Sequence, residues 1–169
     1  MKLIRNVFIV VALLFSIQTK AQTVKLGHIN SADLLDAMPE VKLADTALAK
    51  YQKELEDSYS FLVNEYQTKL DDYTKNKDTW TATIRGLKEE ELQNLQDKLS
   101  QFQSDSQDKF ANKKQELYAP ILKKADEAVK AVGKENGYAY VFDTSAGAVL
   151  YSWDSDDLMA LVKKKLGLQ

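Results

Sequence analysis

From Pro39 to about Lys75 the chain carries no glycine and no second proline. Its apolar residues there fall at Ala44, Leu48, Tyr51, Leu55, Tyr59, Leu62, Tyr66, Leu70 and Tyr73. The steps alternate between three and four, with a mean of about 3.6, which is one stripe down one face of a helix. The repeat is eleven residues, so the seam runs nearly straight or drifts slightly to the right, unlike that of a heptad. Pro39 follows the short helical pattern "SADLLDAM" and suits a first helical turn, where its missing N–H would be unpaired in any case.

A second run is expected after Gly86. Glu89, Glu90 and Glu91 would stand at its N-terminal end, where the helix dipole favours negative charge. Apolar positions follow at Leu92, Leu95, Leu99, Phe102, Phe110, Leu117, Ile121, Ala125, Ala128 and Val132, with Ser106 and Lys113 or Lys114 in the gaps. Gly133 and Gly137 offer left-handed stop positions. Two helices of similar length joined around residues 76–86 are most simply an antiparallel pair, each ~55–65 Å long at the α-helical rise. Such an arm buries one narrow stripe on each member and exposes the rest. Pro120 lies inside the second pattern, removes one backbone bond and is expected to bend the helix. It is either a surface kink or a hinge that sets the splay of the arm.

The two ends of the chain read differently. Lys2 and Arg5, an apolar run from Val7 to Phe15, and a small residue at Ala21 have the layout of a secretory signal peptide, cleaved after about Ala21. The run is too short for a membrane span, which needs about twenty residues. There is no cysteine, so disulfides, thiolate metal sites and a lipid-bearing cysteine are all excluded. Without residues 1–21 the chain has 20 basic and 25 acidic side chains, a net charge of −5. That balance argues against nucleic acid as a partner.

Val24 to Asn30 reads as a strand, as do Gly137 to Phe142 and Ala148 to Trp153, the last two joined at residues 143–147. Asp154 is expected to cap a terminal helix bearing Leu158, Leu161, Val162 and Leu166 on one face, with Lys163 to Lys165 at its C-terminal end. Residues 22–38 and 133–169 thus make a body, and 39–132 an inserted arm with its tip at about 76–88. The fold class is α+β, mainly α. Leu26, Ile29, Tyr140, Phe142, Val149, Leu150, Tyr151 and Trp153 give the strands apolar residues on both faces. One or two short helices cannot cover both faces, and small sheets leave edges that invite pairing. Self-association is the economical remedy, with these residues as the shared core.

The sequence resembles the Skp/OmpH-like periplasmic chaperones along the whole mature chain. The resemblance runs through "VKLGHINSADLLDAMPE", "LYAPILKKADEAVKAVGKENGYAYVFD" and "VLYS…DDLMALVKKKLG". It implies a homotrimer shaped like a jellyfish, with three helical arms around a cavity that holds unfolded outer-membrane proteins. Members of that family are often strongly basic and this chain is acidic. No lipopolysaccharide site carries over, because no basic motif matches one, and membrane contact stays open.

Within the arm, Phe61 and Val63 flank Leu62 off the seam and are the expected client contacts. The tip is locally basic, with Lys75, Lys77, Arg85 and Lys88 against Asp78. Trp80 and Ile84 there either touch a client or cap the seam. No phosphate-binding glycine loop is present, so no nucleotide or other cofactor is expected. His28, the sole histidine, reads as a packed or hydrogen-bonded residue, no catalytic group is identified, and an enzyme is not expected. Asp154, Asp156 and Asp157 are read as caps, with no metal. The expected function is an ATP-independent holding chaperone; the alternative is a coiled-coil envelope adaptor that binds one folded partner.

Overall fold

The computed structural model describes residues 24–168. The signal-peptide expectation for residues 1–21 lies outside the described residues. In order, the elements are strand β1 (Leu26–Ile29), helix α1 (Ser31–Asp36), helix α2 (Pro39–Asn76), helix α3 (Ala82–Glu135), strand β2 (Tyr140–Asp143), a 3-10 turn (Asp154–Asp156) and helix α4 (Met159–Leu166). Among the described residues no helix is long and apolar enough to cross a membrane.

Helices α2 and α3 form the expected antiparallel arm. Cross-contacts descend in step: Lys124 with Glu40, Tyr118 with Asp45, Tyr59 with Phe102, Lys69 with Glu91 and Tyr73 with Glu89. Pro39 occupies the first turn of α2, as its locked φ favours. The second helix begins earlier than expected. Thr81 caps it, its Oγ1 accepting from the Ile84 N–H at 3.3 Å, so Gly86 lies inside the helix. An intrinsic cap outweighs one glycine, whose cost inside a helix is about 1 kcal/mol. Glu89 and Glu91 are therefore beyond the first turn, and they reach across to Tyr73 and Lys69 instead of facing the helix dipole.

At the other end α3 runs on through Gly133 to Glu135. Gly133 is buried and its missing Cβ admits β2: a methyl there would sit 3.3 Å from Val141 Cγ2. Gly137, with φ +72°, supplies the left-handed stop. Pro120 is inside this continuous helix.

The body differs from a three-stranded meander. β1 and β2 pair in parallel, with Leu26 opposite Tyr140 and Ile29 opposite Asp143. Parallel neighbours need a long crossover, and here the entire arm serves as that connection. Residues 148–153 form no strand. They lie over the outer face of β1, held by the His28 Nε2–H donating to the Trp153 carbonyl at 3.0 Å. The third sheet position is taken further on, by a parallel bridge from His28 to Asp157. The free edge of β1 is thus occupied by residue 157, and the 148–153 segment pairs with neither strand.

The terminal helix also starts later than expected. Asp154 opens the 3-10 turn, while Asp157 Oδ1 accepts from the Met159 N–H at 2.7 Å. Gly167, at φ +73°, closes it. Its inward residues Leu158 and Val162 join Ile29, Leu34, Met38, Ala44, Ile121, Ala125, Ala128 and Val132 in one core. That core ties the root of the arm to the body.

Candidate functional site

The sheet divides its residues by face, as the two-residue period of a strand requires. Gly27, Ile29 and Val141 point inward, while Leu26, Tyr140 and Phe142 point outward. Ile29 is 3% exposed and belongs to the chain's own core. That removes it from the set expected to meet a sister chain. The other seven expected residues of that set remain at or near the surface. Leu150 is 97% exposed, Tyr151 79% and Trp153 65%; Leu26, Tyr140 and Phe142 are exposed and Val149 is half-buried. Leu26, His28, Phe142, Val149, Tyr151 and Trp153 line one open groove, and the rings of Tyr140 and Phe142 stack at 6.3 Å. Together these side chains leave an exposed apolar patch on the body.

Residues from opposite ends of the chain are fastened by a polar clasp that sequence reasoning missed. Asp143, the last residue of β2, accepts from the Ser31 N–H at 3.1 Å, the Ser31 hydroxyl at 2.6 Å and the Ser145 N–H at 2.9 Å. These donors, the Ser31 hydroxyl first, hold its carboxyl down to about 2. Asn30 next door caps α1, accepting from Ala32 and Asp33. The legible signal was "NSAD" as a helix start; its partner 112 residues later was not visible locally.

On the arm, Phe61 is 69% exposed, and Val63, Tyr59 and Ile84 are also exposed. The seam residue Leu62 beside them is half-buried, so the off-seam placement of Phe61 and Val63 is as expected. Trp80 is half-buried and its ring lies 6.0 Å from that of the seam residue Tyr73, tilted by 58°. It caps the seam. The cations of the tip differ from one another. Lys88 pairs with Glu91 at 3.2 Å, and Glu91 also takes Lys69. Hydrogen bonds from Lys69 and then Lys88 lower the Glu91 carboxyl. Among the described residues Lys75, Lys77 and Arg85 make no ion pair within the chain. Two further exposed leucines, Leu43 and Leu122, stand at matching heights near the root of the arm. Their off-seam positions were the signal for them, the same as for Phe61.

A family model described as outer membrane protein (OmpH-like) matches residues 25–166. The chain belongs to the OmpH-like family. The OmpH-like fold is also seen in a crystal structure from Caulobacter crescentus CB15, assigned as an outer membrane chaperone. The two superpose with a TM-score of 0.74 at 12% identity, over 86% of this chain and 83% of that one. No curated protein sequence matches this OmpH-like chain. Membership in an OmpH-like chaperone family implies a role as a chaperone of outer-membrane proteins, in a family that is periplasmic.

Proposed function

We propose that this chain is an ATP-independent holding chaperone. In this reading three copies join through their bodies, and their arms enclose a cavity that shelters unfolded outer-membrane proteins crossing the periplasm. The observation that carries it is a contrast within one chain. The arm half-buries most of its seam within the chain, whereas the body leaves Leu150, Tyr151 and Trp153 largely bare. Burial of that patch by sister copies would set the arms side by side, projecting from a common base. Phe61 and Val63 then offer exposed apolar contacts, each worth roughly 1–3 kcal/mol if fully buried and less when partly so. Many weak, exchanging contacts hold a client without trapping it, and release needs no nucleotide. The basic tip, through Lys75, Lys77 and Arg85, and the splay at Pro120 would adjust the opening.

The mature protein should scatter light as a trimer and keep unfolded β-barrel membrane proteins soluble at near-stoichiometric ratio without ATP. Changing Phe61 and Val63 together to serine should weaken holding several-fold and leave the scattering mass unchanged. A monomer in dilute solution, or a protein that ignores unfolded barrels and binds one folded partner, would overturn the proposal.

A further inference from the structure

Charge along the arm is segregated in a way its modest net charge conceals. Cross-contacts place residues 54–72 of α2 beside 89–108 of α3, with Tyr59 against Phe102 near one end and Lys69 against Glu91 near the other. This shaft holds twelve carboxylates against two lysines, Lys69 and Lys98, for a net charge of −10. The tip, residues 73–88, is +3, and the root, residues 39–53 with 109–135, is +4. An acidic band is thus bounded at both ends by basic ones.

Three exposed apolar residues, Tyr59, Phe61 and Val63, lie within the acidic band. Glu65, Glu90 and Asp108 of the same band enter no ion pair among the described residues, and Lys69 is already committed to Glu91. Extended apolar contacts set in a field of one sign fit a flexible polypeptide of the opposite sign. Three such shafts around one space would add their fields, and a cavity with protein walls focuses them.

We infer that the arm selects among unfolded polypeptides by charge, taking segments that combine apolar residues with lysine or arginine over equally apolar acidic ones. This rests on the holding reading and names its substrate class. The positively charged tip and root repel cationic segments, so they confine a captured cationic segment to the shaft.

The test uses the mature full-length protein and three synthetic unfolded polypeptides of equal length and apolar content: one rich in Lys and Arg, one rich in Asp and Glu, one neutral. By fluorescence anisotropy at low salt the cationic chain should bind about tenfold tighter than the acidic one. At 0.5 M salt, where the screening length falls to roughly 4 Å, the two should converge. The fourfold variant Glu65→Gln, Asp71→Asn, Glu90→Gln, Asp108→Asn should lose most of the preference and still hold the neutral chain. Neutral binding with no ranking by charge, or tighter binding of the acidic chain, overturns this inference alone. Failure to bind any of the three at either salt overturns the holding reading and this inference with it.

Discussion

A Cβ added at Gly27 would stand 2.4 Å from Leu158 Cδ1 and 2.8 Å from Tyr138 Cδ1. Leu158 is fully buried and cannot swing away, so the strand approaches the terminal helix at a distance only glycine permits. Gly27→Ala should therefore destabilise the protein by about 1–3 kcal/mol, read as a lower urea midpoint at unchanged slope. The Asp143 clasp makes a prediction of a different kind. Its folded pKa is depressed to about 2, so its contribution is present above the ordinary carboxylate value and is lost as pH falls through the folded one. Asp143→Asn should cost about 1 kcal/mol near neutral pH, given that the site is solvent-exposed. The difference between wild type and variant should vanish between roughly pH 4 and pH 2. Urea midpoints of both proteins across that range check it; a constant difference would mean that the carboxylate charge is irrelevant.

The elements of the arm follow from spacing, but one position in the seam does not fit it. Ser106 falls in the α3 stripe where the pattern asks for a large apolar residue, and its hydroxyl is buried without a hydrogen-bond partner. Around it Leu55, Tyr59, Phe102 and Phe110 line an open hollow of about 430 Å³. Ser106 lines this hollow without the apolar bulk that the rest of the stripe supplies. Ser106→Leu should fill part of the space and stabilise the arm by about 1–2 kcal/mol. Slower amide exchange centred on residues 55–59 and 102–110 would report it; faster exchange there would show that the hollow is already well packed by motion of its rings. Terminators behaved by the same local chemistry. Thr81 and Gly137 cap because a hydroxyl and a positive φ are what helix ends need, whereas Gly86 and Gly133 offered neither at the right place.

At the scale of the whole molecule, a chain of this size exposes a continuous apolar face on its smallest part. The patch around Leu150, Tyr151 and Trp153 sits over the outer face of the sheet and away from the ten-residue core. In the proposed assembly, Leu150→Ser with Trp153→Ser should leave each chain folded and weaken the association between copies by at least about tenfold per residue, measured by sedimentation at graded concentration. Loss of helical circular dichroism in that variant would instead make the patch part of the monomer's own stability.

The seam, the antiparallel arm and the apolar excess of the body were legible in the order of residues, because helical periodicity and burial act over neighbours three or four apart. Phe61 and Val63 stood out for the same reason: they break the stripe. What the sequence could not specify was which distant pieces meet. The parallel register of Leu26 with Tyr140, the bridge of His28 to Asp157 and the clasp of Asp143 on Ser31 each join residues more than a hundred apart. A strand-like composition at 148–153 promised a third strand, yet the edge of β1 pairs with residue 157 and, among the described residues, no segment pairs with the outer edge of β2. Local propensity proposes an element; only the arrangement of partners in space decides whether its backbone hydrogen bonds have anywhere to go.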